Sequence, residues 1–146
     1  YNVIVKPHPR LELDDTTEYY RILGKYKDHP QIHFLVDFPL IYPLLNITDI
    51  YLGDMSSIGY DYLIFNRPMF FLNKENRNPQ RDRRSYLFNC GVDIKGHQFS
   101  RLYQMIEANL DKDAEKFANI RAEVWEYTFG EERPFETIRQ EVIKAY

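Results

Sequence analysis

Short apolar runs alternate along this chain with longer stretches in which apolar residues recur at helical spacing. The runs have the length and the β-branched or aromatic content of strands. They are residues 2–5, 32–36, 50–52, 69–72 and 92–94. Strands that alternate with helices form βαβ units, so we predict a mostly parallel sheet of about five strands. The predicted fold class is α/β and Rossmann-like, with helices flanking the sheet.

Prolines and capping residues set the limits of the predicted helices. Residues 14–17 (DDTT) offer N-cap side chains before apolar residues at helical spacing in 19–26. Residues 41–45 predict a short helix or turn, bounded by Pro39 and Pro43.

The last third of the chain is predicted to be mostly helical. Residues 73–85 are polar and turn-rich, which indicates a loop. Helical spacing then recurs in residues 99–110 and 117–125. Gly130 ends the second of these helices, and Pro134 suits the first turn of a closing helix.

The composition is that of a globular protein. Of 146 residues, 44% are hydrophobic and 28% are charged, and the formal net charge is −3. This balance does not favour a nucleic-acid partner, so any anion site must be local. The single Cys90 fits a reducing cytoplasm and predicts a buried or half-buried small apolar side chain.

We expect a soluble protein without a signal peptide, because no apolar run approaches the length of a membrane span. The chain opens in a strand-like run without an initiating methionine. We therefore expect it to be part of a longer protein.

The strongest local signal is the segment 54–61, where a strand is expected to lead into a helix. Ser56 and Ser57 put hydroxyl groups beside the unpaired N–H groups of the helix start, an arrangement that binds phosphate. Asp61, about one turn further on, suits the helix dipole or a ribose hydroxyl of a nucleotide. The alternative is simple capping of the helix by these side chains.

His8 is the second candidate. It follows the first predicted strand and stands between Pro7 and Pro9, which keep its backbone extended. Open α/β sheets bind ligands at the carboxyl edge, so we expect His8 to face the same crevice as Ser56 and Ser57. An imidazole there can stabilise charge on a departing nucleotide. The alternative is a histidine that only bonds a loop carbonyl.

The predicted loop 73–85 carries four arginines. They are Arg77, Arg81, Arg83 and Arg84. Guanidinium groups bind diphosphates through paired donors, but an ordinary solvated loop has the same composition, and both interpretations stay open. The remaining histidines lack the spacing of metal ligands, so the sequence predicts neither a metal nor a cofactor.

Four segments together resemble the carboxyl-terminal half of the CDP-glycerol glycerophosphotransferases. They are residues 3–9 (VIVKPHP), 49–57 (DIYLGDMSS), 60–63 (YDYL) and 67–71 (RPMFF). In that family a His-Pro motif ends one strand, an Asp-Tyr-Ser-Ser motif opens a helix with an acidic residue, and an Arg-Pro or Lys-Pro step begins the next strand. The resemblance covers about the first ninety residues.

The resemblance implies roles for individual residues. His8 is the catalytic histidine of this half, Ser56 and Ser57 bind the diphosphate, and Asp61 contacts the nucleotide. Asp54, which opens the serine motif, is a further substrate-binding residue.

Arg84 corresponds to the arginine of an Arg-Gly step in the family, and is likewise implied to bind substrate. The sequence departs from the family at two positions. Met55 stands where the family has tyrosine, and Ser85 stands where glycine follows the arginine.

The resemblance also implies an activity. Members transfer glycerol phosphate from CDP-glycerol to teichoic-acid-like polymers and release CMP. Residues 1–146 are then the donor domain of a two-domain GT-B transferase that uses CDP-glycerol or CDP-ribitol. The polymer or lipid-linked acceptor binds the missing amino-terminal half, so we expect the isolated domain to be inactive. The expected location is the cytoplasm, with peripheral association at the inner face of the cell membrane.

Two other interpretations fit the same residues. A GT-B glycosyltransferase or a UDP-sugar epimerase also places small residues and an acid at such a helix start. A non-catalytic α/β interaction module would instead use its surface tyrosines and phenylalanines to bind a partner protein.

Overall fold

The structure is a computed structural model that describes residues 1–8, 10–36, 40–130 and 133–145. The chain divides into two compact units, Tyr1–Leu44 and Leu45–Tyr146. Each unit contains a parallel sheet and helices, which confirms the predicted α/β, Rossmann-like fold class. The prediction of one sheet of about five strands is wrong, because the five strands pair in two sheets, of two and of three strands. The assignment of residues 1–146 to one donor domain stays a prediction.

The first unit contains a two-stranded parallel sheet. Strand β1 (Val3–Val5) pairs with β2 (Ile32–Phe34), and Val3 lies opposite Ile32. Both strands lie within the predicted runs, where β-branched and aromatic residues favour an extended backbone.

Two helices connect these strands, α1 (Leu11–Asp14) and α2 (Thr16–Tyr26). Asp15 caps α2, because its carboxylate accepts the backbone N–H of Glu18 at 3.2 Å. The predicted cap within residues 14–17 is therefore confirmed, and Asp15 is the residue that supplies it.

Helix α3 (Ile41–Ile47) is longer than the predicted segment 41–45 and contains Pro43. The prediction that Pro43 bounds this helix is wrong. Proline is tolerated in a first turn because the N–H it lacks would have no partner inside the helix. Pro39 lies outside the described residues.

The second unit contains a three-stranded parallel sheet in the order β3 (Tyr51–Gly53), β4 (Met69–Asn73) and β5 (Val92–Lys95). Gly53 lies opposite Phe71, and Asn73 lies opposite Lys95. Because the strands are parallel and in register, their carboxyl ends meet at one edge of the sheet.

One face of this sheet packs against the helices that follow β5. Phe70, Val92 and Ile94 form a buried cluster with Ile106 of α5 (Leu102–Leu110). A 3-10 helix (Gly96–Arg101) leads into α5, and α6 (Asp113–Phe129) follows it. The helical patterns predicted for residues 99–110 and 117–125 are confirmed.

The opposite face is aromatic. The Phe71 ring lies 6.0 Å from the Tyr51 ring and 5.3 Å from the Phe88 ring, measured between centroids. Tyr51 also contacts Tyr62 of α4 (Ser57–Tyr62), with 5.5 Å between ring centroids. These rings hold α4 against the sheet.

Helix α4 continues as a 3-10 turn (Leu63–Phe65) and ends at Asn66, whose φ of 47° is left-handed. Tyr62 is fully buried and its ring packs on Phe65. The predicted helix with Ile58, Tyr62 and Phe65 on one side is confirmed.

Residues after β4 form turns as predicted, and then a 3-10 helix (Arg83–Cys90). The predicted loop 73–85 thus overlaps the start of that helix and the end of β4. Cys90 is fully buried, and this burial raises the pKa of its thiol to about 12. It is the small buried side chain that the sequence predicts.

The closing segment is helical. Helix α6 ends at Gly130, whose φ of 71° is readily adopted by glycine. Pro134 precedes α7 (Phe135–Ala145), and its carbonyl accepts the Thr137 N–H at 3.0 Å. Among the described residues, no helix combines the length and the apolar content that crossing a membrane requires.

A buried arginine ties α6 to the rest of the second unit. Arg121 is fully buried and donates to both carboxylate oxygens of Asp113, at 2.6 and 3.2 Å. It also donates to the Asn66 side chain at 2.7 Å and to the Cys90 carbonyl at 3.3 Å. A buried charge is tolerated when it is paired and hydrogen-bonded in this way. The network joins α6 to the end of the α4 segment and to the chain before β5.

Gly91, directly before β5, cannot carry a side chain. A Cβ atom there would lie 2.1 Å from the backbone oxygen of Met69. We therefore predict that Gly91→Ala lowers the free energy of unfolding by at least about 3 kcal/mol. Gly24→Ala is the control, because nothing lies within 4 Å of its Cβ position in α2. It should gain about 0.5–1 kcal/mol from helix propensity. Urea unfolding measures both, and a Gly91→Ala protein as stable as wild type would contradict the close approach.

Candidate functional site

The carboxyl edge of the second unit's sheet is the candidate site. Parallel α/β sheets bind ligands at this edge. Strand β3 leads there into residues 54–57, and β4 leads into the arginine-bearing segment 74–84. Since β3 and β4 are adjacent strands roughly 5 Å apart, and β4 runs two residues past Phe71, which lies opposite Gly53, the two segments start from neighbouring strand ends.

The two serines have different environments at the start of α4. Ser56 is the N-cap, and its hydroxyl accepts the Ile58 N–H in a long 3.4 Å bond. Ser57 is the first helical residue and is exposed, and its side chain has no bonding partner in the part of the chain described. Asp61 lies one turn further along α4 and is partly exposed. Ser56 thus performs the capping role, while the Ser57 hydroxyl is available to a ligand.

Glycines let α4 begin close to β3. A Cβ atom on Gly59 would lie 2.6 Å from Cδ2 of Leu87, which is fully buried, and 3.4 Å from the Tyr51 hydroxyl. One on Gly53 would lie 2.4 Å from the same hydroxyl. Small residues at both positions therefore bring the first turn of α4 to the edge of the sheet, which is the role glycine plays in nucleotide-binding turns.

Tyr51 of β3 packs against α4. Burial, with a smaller contribution from the Asp54 carboxylate, raises the pKa of Tyr51 to about 12. Asp54 itself is exposed at the end of β3. The tyrosine therefore stays neutral at physiological pH, and its ring is a packing element.

His8 lies just after β1 in the first unit and is exposed. Its Nδ1 atom accepts the Arg10 backbone N–H at 3.1 Å, and its carbonyl accepts the Leu11 N–H at 2.9 Å. In a neutral imidazole the other nitrogen, Nε2, then carries the proton and can donate outward. The serines belong to the second unit, and the predicted shared crevice stays a prediction.

The arginines of segment 74–84 are not equivalent. Arg77 pairs with Glu75 at 2.6 Å, and Arg84 pairs with Asp82 at 3.3 Å. The Arg84 backbone N–H, followed by its side chain, holds the pKa of Asp82 below its usual range. Arg81 and Arg83 are exposed and form no ion pair with any described residue.

Two other histidines lie in the first unit. His29 accepts the Gln31 backbone N–H at 3.2 Å, and His33 lies exposed in β2. Across the described ranges, no three His, Cys, Asp or Glu side chains are grouped to hold a metal ion.

Sequence reasoning missed the residues that support this edge. Arg67 donates to the carbonyls of Asn46 at 2.8 Å and Thr48 at 2.7 Å, and so secures the chain before β3. Lys95 and Asp93, at the end of β5, lie 2.6 Å apart and contact the arginine-bearing segment through Lys95. The polar alternation in β5, with Val92 and Ile94 buried, is the signal that could have identified them.

The model of the family described as CDP-Glycerol:Poly(glycerophosphate) glycerophosphotransferase matches residues 1–133 of the chain. No curated protein and no solved structure matches it.

The raised pKa of Tyr51 makes a prediction about alkaline stability. Between pH 10 and about 12 the unfolded chain releases this proton while the folded chain keeps it, so stability falls as pH rises through this window. Tyr51→Phe should make the loss between pH 9 and 11 smaller by about 1 kcal/mol. Tyr127→Phe is the control, because Tyr127 is 93% exposed. Urea unfolding at both pH values is the measurement, and equal losses in all three proteins would contradict it.

Proposed function

Because this chain belongs to the CDP-glycerol:poly(glycerophosphate) glycerophosphotransferase family, we propose that it binds the nucleotide donor of such an enzyme. The donor is CDP-glycerol or CDP-ribitol, and its polyol phosphate passes to a cell-envelope polymer with release of CMP. One observation carries the proposal: the start of α4 and the arginine-bearing segment follow adjacent strand ends at the carboxyl edge of one parallel sheet.

The proposal assigns the donor's parts to residues of that edge. The diphosphate binds the free Ser57 hydroxyl and the first-turn N–H groups of α4, with Ser56 ordering the turn. Asp61 accepts a hydrogen bond from a ribose hydroxyl, as acids do in related nucleotide sites. Arg84 contacts the diphosphate, and Asp54 accepts from a hydroxyl of the polyol.

The transfer itself is an in-line displacement at phosphorus. The acceptor hydroxyl attacks the β-phosphorus of the donor, and the bond from that phosphorus to the bridging oxygen breaks. CMP leaves with the electron pair on that oxygen. The His8 Nε2–H group and an arginine stabilise the developing charge. The acceptor's proton goes to a general base in the amino-terminal half of the enzyme.

In this proposal the chain is the carboxyl-terminal domain of a GT-B transferase for teichoic-acid-type polymers, and it is inactive alone. The polymer or lipid-linked acceptor binds the other half. The reaction takes place in the cytoplasm, with the enzyme attached peripherally to the inner face of the cell membrane.

Substitution of two residues tests the mechanism in the two-domain enzyme. His8→Ala and Ser57→Ala should each lower kcat/KM at least about 100-fold, because each removes a hydrogen bond to transferring or departing phosphate oxygens. The measurement is CMP release from CDP-glycerol with acceptor polymer. His29→Ala and Thr137→Ala are matched controls at exposed positions, in the turn before β2 and in α7. Near-normal turnover of either site variant, with urea stability unchanged, would remove the mechanism.

Calorimetry tests the donor class independently of turnover. The chain should bind CDP-glycerol or CDP-ribitol more tightly than UDP-glucose, and Ser57→Ala should weaken that binding about tenfold, as expected for a lost hydrogen bond to a charged group. Preference for the UDP-sugar would support a glycosyltransferase or an epimerase. Absence of binding by any nucleotide would support the interaction module.

A further inference from the structure

The segment 74–84 concentrates positive charge. It carries five basic and two acidic side chains, in a chain whose formal net charge is −3. Flexible loops of this composition are common, so the charge alone assigns no role. What distinguishes this segment is how its backbone is held.

The first anchor is at Arg77. The Asn73 side chain, which is 2% exposed, bonds both backbone groups of Arg77: Nδ2 donates to the carbonyl and Oδ1 accepts the N–H, each at 2.8 Å. Lys95 Nζ donates to the same carbonyl at 3.0 Å. Thus side chains at the ends of β4 and β5 both hydrogen-bond the backbone of one residue of the segment, Arg77.

Lys95 is itself tied to a partly buried carboxylate. Its Nζ lies 2.6 Å from Oδ2 of Asp93, and the two side chains are 29% and 21% exposed. The other Asp93 oxygen, Oδ1, is buried and has no hydrogen-bond partner among the described residues. The carboxylate depends on Lys95, because a buried charge without a partner is strongly unfavourable.

The second anchor is at Asp82. Its carboxylate accepts the Arg84 backbone N–H at 3.0 Å, and its carbonyl accepts the hydroxyl of the fully buried Ser85 at 2.9 Å. Arg81 and Arg83 flank this anchor with exposed side chains that form no ion pair in the described part of the chain. The backbone is therefore fixed while two guanidinium groups remain available.

We infer that Lys95, with Asp93 and Asn73, is a positioning residue that holds residues 74–84 as a preformed anion-binding loop. Within it, Arg81 and Arg83 contact the diphosphate of the donor. A loop ordered before binding loses less conformational entropy when the ligand arrives. The identity of the anion rests on the proposed function; the anchoring rests on the contacts above.

Limited trypsin digestion tests the anchor without any ligand. Lys95→Met keeps the aliphatic stem but removes the charge and its hydrogen bonds, so cleavage after residues 81, 83 and 84 should become about tenfold faster. Lys95→Arg should restore the wild-type rate to within about twofold, since it keeps the charge. Lys144→Met, in exposed α7, should cleave in the loop like wild type. Equal loop cleavage in wild type and Lys95→Met would overturn the anchoring role.

Calorimetry with CDP-glycerol tests the contact. Arg81→Gln and Arg83→Gln should each weaken binding about tenfold, and Arg139→Gln, at an exposed arginine of α7, should not. Unchanged binding in both loop variants, while wild type binds, would overturn the contact and leave the proposed function standing. Failure of wild type to bind would overturn both the proposed function and the contact. The digestion result would still show whether Lys95 holds residues 74–84 in place.

Discussion

Parallel pairing of β3, β4 and β5 is the constraint on which the candidate site depends. Register places Gly53 opposite Phe71 and Asn73 opposite Lys95, so the three strands finish at one edge. The candidate binding residues of the second unit lie in the segments that follow β3 and β4 at that edge. An antiparallel arrangement would send the serines and the arginines to opposite ends.

Close packing then turns this edge into a surface of defined shape. Tyr51 occupies the space that a side chain at Gly53 would need, and Leu87 occupies the space at Gly59, so the first turn of α4 lies near the strand end. Some polar side chains at this edge hold the backbone, and others remain available to a ligand. Ser56 satisfies the turn while Ser57 stays available, and Asp82 holds Arg84 while Arg81 and Arg83 stay exposed.

Local sequence predicted the five strands and the longer helices, because each strand is a compact apolar run and those helices have regular apolar spacing. It did not predict the short α1, which has no side-chain cap, or the 3-10 helix Arg83–Cys90. Pro43 was misjudged because proline disrupts helix interiors but is accepted in first turns. The candidate serine turn was found from its position after a strand. The contact between Arg121 and Asn66 could not be predicted, since these residues are distant in sequence and meet only when the unit folds.

The central claim is that the donor's diphosphate binds at the carboxyl edge of the second unit's parallel sheet. The most direct measurement is a crystal structure of the chain with CDP-glycerol bound. We predict that the diphosphate lies against Ser57 and the first-turn N–H groups of α4. A nucleotide bound away from this edge would contradict the claim.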